Sequence, residues 1–108
     1  MEKRRKKLRT RLIQILTSVD ESYKSGHLYY RKPASKMNYP CILYDLLSGL
    51  YGYADNTKYI KNYRFSIIVI DEDEDSPIAE AVENLPGCSL DRTFQTEGLN
   101  HFVYTITI

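Results

Sequence analysis

From Leu8 onward the apolar residues Leu8, Leu12, Leu16, Val19 and Tyr23, joined by Ile13 and Ile15, return every three or four positions, the spacing of one helical face. The pattern predicts an amphipathic helix from about Glu2 to Tyr23, ended by Ser25 and Gly26. Leu28, Tyr29 and Tyr30 suit a short strand before Lys32, Pro33, Ala34 and Ser35 break it, and a loop is expected as far as Tyr39. The segment from Cys41 to Tyr53 fits two periods. Ile42, Tyr44 and Leu46 alternate with Leu43, Asp45 and Leu47 as in a strand, yet Ile42, Leu43, Leu46, Leu47 and Leu50 also follow a helical repeat. Pro40 and the Tyr51-Gly52-Tyr53 run favour the strand, continued through Ser48 to Leu50 past a bulge at the glycines.

Ala54, Asp55, Asn56 and Thr57 have the composition of a turn, and Tyr63 to Ile70 then alternates cleanly. Tyr63, Phe65, Ile67 and Val69 share one face. Ser66, Ile68 and Ile70 share the other, whose growing apolarity leads us to expect a helix against it. Ser76 is an N-cap with Pro77 at the first helical position, followed by the stripe Ile78, Ala81, Val82 and Leu85 up to Pro86 and Gly87. Two strands follow, Cys88 to Gln95 and Asn100 to Ile108, joined as a hairpin by Thr96, Glu97, Gly98 and Leu99. In the last strand Phe102, Tyr104, Ile106 and Ile108 face one way, and Val103, Thr105 and Thr107 the other. The closing strand is expected to fix the C-terminal edge within the sheet. The order α-β-β-β-α-β-β predicts one α+β domain over residues 1–108, with the N-terminal amphipathic helix and a second short helix packed on one face of a mainly antiparallel four- to five-stranded sheet.

Composition adds polarity to this picture. Seven of the fifteen basic residues, Lys3, Arg4, Arg5, Lys6, Lys7, Arg9 and Arg11, lie in the first helix, and Asp71, Glu72, Asp73, Glu74 and Asp75 form an unbroken acidic run, so the net charge of +1 hides strong segregation. The basic helix start is either a solvated face or a contact for phosphates or an acidic surface. The acidic run reads as a solvated loop capping the second helix, because it lacks the glycine turn and distant glutamate of a calcium loop. Ten tyrosines against three phenylalanines and no tryptophan suit surfaces that become interfaces, or reflect coding bias. Cys41 and Cys88 stand far apart, outside any metal-ligand spacing, and two buried free thiols in a reduced cytosolic setting are expected. His27 and His101 are isolated from any nucleophile pattern, and the glycines are too scattered for a nucleotide loop. A non-enzymatic protein without metal or cofactor is the expectation, with no membrane-spanning segment.

Several separated segments carry a further signal. Tyr53-Ala54-Asp55-Asn56 with Tyr59, the strand residues Tyr63, Arg64 and Phe65, the turn from Asp71 to Pro77, Leu85-Pro86-Gly87-Cys88 and Leu99-Asn100-His101-Phe102-Val103-Tyr104 occur in an order that resembles small structural proteins of tailed bacteriophages, especially those of Gram-positive hosts. The resemblance covers about half the chain, from Tyr53 to Ile108. It is to the tail terminator or tail completion (head-tail joining) family of long-tailed phages, in which Asn100 and His101 read as part of a Leu-Asn-His-Phe/Tyr signature entering the closing strand. The resemblance implies a ring, usually a hexamer, that caps the tail tube in the virion neck after assembly in the host cytoplasm. The partners it implies are further copies of the chain, the tail tube protein and head-tail connector proteins, with non-specific contact to DNA in the channel. It implies no catalytic residues. For such a role the basic residues Lys3 to Arg11, the acidic run and Tyr51, Tyr53 and Tyr59 are the candidate interaction surface, the ordinary alternative for the tyrosines being packing over a sheet edge. A head closure or connector adaptor is an alternative within the same class, and a small nucleic-acid-binding regulator using residues 1–11 is one from another class.

Overall fold

The computed structural model describes residues 2–21, 23, 27–31, 39–54 and 57–108, excluding the side chains of 2, 3, 50–54 and 57–61. Ser25 and Gly26, the breaker Lys32 to Ser35, and Asp55 and Asn56 of the expected turn lie outside the described residues. The elements in chain order are α1 (Glu2–Val19), β1 (Leu28–Tyr30), β2 (Cys41–Ala54), β3 (Thr57–Asp71), α2 (Pro77–Glu83), β4 (Cys88–Thr96) and β5 (Leu99–Thr107). They build one five-stranded sheet in the order β1-β2-β3-β5-β4. Every neighbouring pair is antiparallel except β1 with β2. This is the α+β architecture expected from the sequence, and the strand reading of Cys41 onward holds over its helical alternative.

Both helices cover the same face of the sheet. Leu8, Leu12 and Leu16, one above another at every fourth position, are fully buried and share a core with Ile42, Tyr44, Tyr63, Phe65, Ile67, Val69, Tyr104 and Ile106. The expectation that a helix packs on the Ser66, Ile68 and Ile70 face is therefore incorrect. The covered face is that of Tyr63, Phe65, Ile67 and Val69, since its aromatic and branched residues present more apolar area to the leucine stripe than a face opening with Ser66. Ile68 stays half-buried on the opposite face.

α1 stops at Val19, one turn short of the expected Tyr23. Asp20 stands at the negative end of the helix dipole, where an acid is disfavoured, and the chain turns there with the Tyr23 amide bonded to the Asp20 carbonyl at 2.9 Å. Tyr23 still packs on the core, its ring 4.8 Å from that of His27. α2 begins as the sequence indicates. Ser76 caps it by accepting from the Ala79 amide at 3.3 Å, and its hydroxyl donates to Asp71 Oδ2 at 2.7 Å. The helix buries Ile78, Ala79 and Val82, and Tyr104 of β5 ties to it by donating to the Ala79 carbonyl at 3.0 Å.

Two turns fix the closing hairpin. Thr96 faces Leu99 across Glu97 and Gly98, both at positive φ (53° and 77°), as a tight hairpin of matching twist requires. Gly87 also has φ of 77°, and a Cβ there would lie 2.8 Å from the Thr107 carbonyl oxygen, so backbone passes where a side chain has no room.

β3 is longer than the sequence pattern indicates, starting at Thr57 rather than Tyr63. Its first half pairs with β2 alone: Leu50 faces Asn62, Tyr51 faces Ile60, and Ala54 faces Thr57. Register shifts at Leu46/Ser48 and Leu50/Tyr51 leave Leu47 and Lys61 as extra residues on either side of Gly49, so the expected bulge is present and doubled. β5 pairs with β3 from Arg64 to Asp71, extended by two backbone hydrogen bonds between Tyr63 and Ile108 (2.7 and 2.9 Å), and β1 pairs with β2 from Ile42 to Tyr44. Beyond these limits the β2–β3 pair runs on as a two-stranded ribbon.

Removing one leucine of the α1 stripe tests this packing. Leu12→Ala is expected to lower unfolding free energy by about 2–5 kcal/mol. By contrast Leu47→Ala, at a residue 55% exposed, is expected to stay within about 0.5 kcal/mol, both read from urea denaturation followed by circular dichroism.

Candidate functional site

The functional features predicted from sequence fall at two ends of one sheet. α1 runs alongside β3. Near its start, the Arg4 guanidinium lies 5.2 Å over the Tyr63 ring and donates to the Ile108 main-chain oxygen at 3.2 Å. At its other end Val19 lines a groove with Asp71. The basic start of the helix therefore sits at the end from which the ribbon departs, and the acidic run sits at the far end of β3.

Within the basic cluster the roles differ. Arg4, Arg5 and Arg11 are half-buried, whereas Lys6, Lys7 and Arg9 are exposed, and the side chain of Lys3 lies outside the described residues. Arg5 lies 5.0 Å over the Tyr30 ring, which Arg31 also approaches at 5.1 Å, and Tyr30 is tilted against Tyr44 at 5.0 Å. Arg5, Lys6, Arg9, Tyr30 and Tyr44 line a shallow groove of about 300 Å³. Arg31 donates from Nε to Asp45 Oδ1 at 2.9 Å, and that hydrogen bond, with charge from Tyr30 and Asp45, raises its pKa from the ordinary arginine value. Sequence reasoning missed this cationic and aromatic cluster. Arg31 and Asp45 are distant in sequence, and only the parallel β1–β2 register brings them together.

The acidic run serves the fold first. Asp71 Oδ1 accepts from the Asp73 amide at 3.1 Å, and Asp73 Oδ1 accepts from the Asp75 amide at 2.9 Å. The Asn100 side-chain amide donates to the Glu72 carbonyl at 3.1 Å, binding the turn to β5. The side chains of Glu72, Asp73, Glu74 and Asp75 are exposed, while Asp71 is half-buried. Tyr51 and Tyr53 lie on β2 of the ribbon and Tyr59 on β3, opposite Gly52. Their side chains are outside the described residues. The structure thus separates the three candidate groups: basic helix start and ribbon toward one end, acidic turn at the other.

The two cysteine thiols stay protonated at neutral pH. Cys41 is fully buried and its thiol is pushed up to about 12 by burial and by the charge of Asp71. Cys88, half-buried rather than buried as expected, is pushed up to about 11 by burial, Glu83 and Asp91. Both thiols are free, and neither carries appreciable thiolate near neutrality, so neither is primed as a nucleophile. Each histidine uses ring Nδ1 as a donor to a carbonyl, His27 to Pro40 at 2.8 Å and His101 to Leu99 at 3.2 Å. His101 also stacks on Phe94 at 4.6 Å. Among the described residues no three His, Cys, Asp or Glu side chains gather as a metal site, and no helix is long and apolar enough to cross a membrane.

Comparison of the sequence with models of known protein families finds no match, and comparison with curated proteins finds none either.

The raised pKa values set a direction for alkaline stability. Tyr104 is pushed up to about 12 by burial, Glu83 and Cys88, so the folded chain keeps protons on Tyr104, Cys41 and Cys88 that an unfolded chain releases at lower pH. This stability is complete below the ordinary thiol value of 9.0 and is lost as pH rises toward about 12. Urea midpoints measured across that range are expected to fall. In Tyr104→Phe the part of the fall above the tyrosine value of 10.0 should shrink, against a loss at neutral pH of about 1 kcal/mol for the missing hydrogen bond.

Proposed function

We propose that this chain is a structural protein of a tailed-phage virion, located in the neck, that caps the tail tube and helps join tail to head as a ring of identical copies. The reading begins from the ordered segments that resemble the tail terminator and tail completion family. The observation that supports it is that three of these segments, the acidic turn, Leu-Pro-Gly-Cys and Leu-Asn-His-Phe, lie on elements bonded to one another. Asn100 of the Leu-Asn-His-Phe segment bonds the acidic turn through Glu72, Tyr104 bonds α2 through Ala79, and the Thr107 amide donates to Gly87 of the Leu-Pro-Gly-Cys segment at 3.2 Å. Residues that recur together in sequence for reasons of local chemistry alone need not meet in space. A shared fold element is the simpler reason for their order.

The charge layout supports assembly with distinct neighbours. A heterologous interface joins one surface to a different surface on the next copy and closes into a ring when the rotation fits. Opposite charges at opposite ends of the sheet suit such joining. The tail tube protein and head-tail connector proteins are the further partners of this role, which needs neither catalysis nor cofactor.

A second reading within the same class has its own observation. The groove formed by Arg5, Lys6 and Arg9 beside Tyr30 and Tyr44 offers cations and rings to a polyanion, as a connector adaptor lining the DNA channel would require. A small nucleic-acid-binding regulator would use the same groove and would bind free duplex DNA with a steep dependence on salt.

Deleting the gene from its phage and imaging the lysate by electron microscopy separates these roles. The proposal expects overgrown, unattached tails beside DNA-filled heads. Tails of normal length beside heads that lose their DNA would favour the connector adaptor, and intact infectious particles would contradict both.

A further inference from the structure

β4 closes one side of the sheet and pairs with β5 alone, so among the described residues no strand lies beside its outer edge. Of its nine residues all but Cys88 are exposed, Leu90 at 45% and Phe94 at 43%, and the strand stands clear of both helices. An outer edge of this kind offers main-chain N–H and C=O groups to another strand, and proteins commonly blunt it with lysine, proline or a bulge. β4 holds neither lysine nor proline. Its one bulge, with Asp91 as the extra residue between Leu90 and Arg92, blunts only the first half. From Arg92 to Thr96 the strand is regular, each residue facing one residue of β5 in turn, and Thr93, Phe94 and Thr96 are strand-forming types.

The charges of this regular half suit a strand of the same sequence running the other way. Asp91 is turned inward, its Oδ2 accepting from the Thr105 hydroxyl of β5. Arg92 is exposed and lies 5.7 Å from the centre of the Phe94 ring, and Glu97 is exposed at the hairpin turn beyond Thr96. The half-strand therefore has a cation at one end and an acid just past the other. Opposed residues of an antiparallel pair share a face, so pairing about a two-fold axis sets one residue opposite itself. Centred on Phe94, it uses the whole run from Arg92 to Thr96: Phe94 meets Phe94, Thr93 meets Gln95, and Arg92 meets Thr96 with Glu97 next to it. Centred on Arg92, it would oppose two cations. Centred on Thr93 or Gln95, it would run into the bulge or the turn one residue to either side of that centre's neighbours.

We propose that two copies of this chain pair edge to edge through β4, antiparallel about Phe94, so that two five-stranded sheets continue as one. The occupant of the edge is a second copy because charge complementarity joins Arg92 of each strand to Glu97 of the other and the apolar centre meets itself. β4 is also already extended, whereas a free peptide must first be ordered. The contact is isologous and closes at two copies. It leaves the heterologous contacts of a ring to other surfaces and does not rest on the neck reading.

The test uses the full chain with no other component. Sedimentation from micromolar to millimolar concentration is expected to show a monomer passing to a dimer and no further. Over the same range amide hydrogen exchange is expected to slow within residues 92–96 of β4. Phe94→Lys opposes two cations at the centre and should weaken pairing about tenfold or more, while the exposed position keeps the fold, as circular dichroism would show. Arg92→Glu and Glu97→Lys should each weaken it about threefold or more. Both changes in one chain should restore pairing, which also shows that the variants fold. A chain that stays monomeric at millimolar concentration would overturn the proposal and leave the edge to a strand of a different protein. A dimer whose exchange slows elsewhere but not in residues 92–96 would overturn it as well, as would growth beyond two copies. None of these results touches the neck reading, which the tail lengths of the deletion lysate decide.

Discussion

The burial of Leu8, Leu12 and Leu16 against Phe65, Ile67 and Val69 is the contact on which the rest of the molecule depends. A sheet with one bare apolar face does not fold alone, and α1 supplies the largest part of its cover. Its eighteen residues span about 27 Å. That is close to the length of β3 from Tyr63 to Asp71, about 26 Å, so helix and five-stranded sheet are matched in length. α2 completes the cover over the second half of the sheet, held by its Ser76 cap and by Tyr104. β2 and β3 outrun this matched region, and that excess is what makes the ribbon. The protruding arm is a consequence of strands longer than the helix that covers them.

Charge follows the same axis. Because α1 runs alongside β3, the arginines of its first turns are carried to the ribbon end, where Arg4 and Arg5 lie over Tyr63 and Tyr30. Packing over rings offsets the unfavourable placement of cations at the positive end of a helix dipole. The acids from Asp71 to Asp75 are fixed at the other end by the demands of turning from β3 into α2, where Asp71 and Asp73 cap amides and the acids suit the start of a helix. Local folding needs thus separate the charges by the length of the sheet. The assembly function we propose uses a polarity that the fold already has.

Much of this was legible in the sequence, for identifiable reasons. The leucine stripe of α1, the Ser76-Pro77 start of α2 and the Glu97-Gly98 turn each carry a local signal strong enough to place an element. What escaped depends on long-range pairing. Lys58, Lys61 and Asn62 interrupt the alternation before Tyr63, and Lys61 is itself a bulge residue, so the sequence pattern of the strand starts only at Tyr63. The covered face of β3 was misassigned because both faces are apolar toward Ile70, and only packing of a particular helix decides between them. Among the site residues, the acidic run was recognised as a cap, yet the pairing of Arg31 with Asp45 needed a parallel edge strand that no periodicity announces.

The most direct measurement is electron cryomicroscopy of the virion neck in which we propose that this chain resides. The account predicts a ring of copies between tail tube and head, each showing the five-stranded sheet covered on one face by α1 and α2. A fully interpreted neck and tail with no copy of this fold would contradict it.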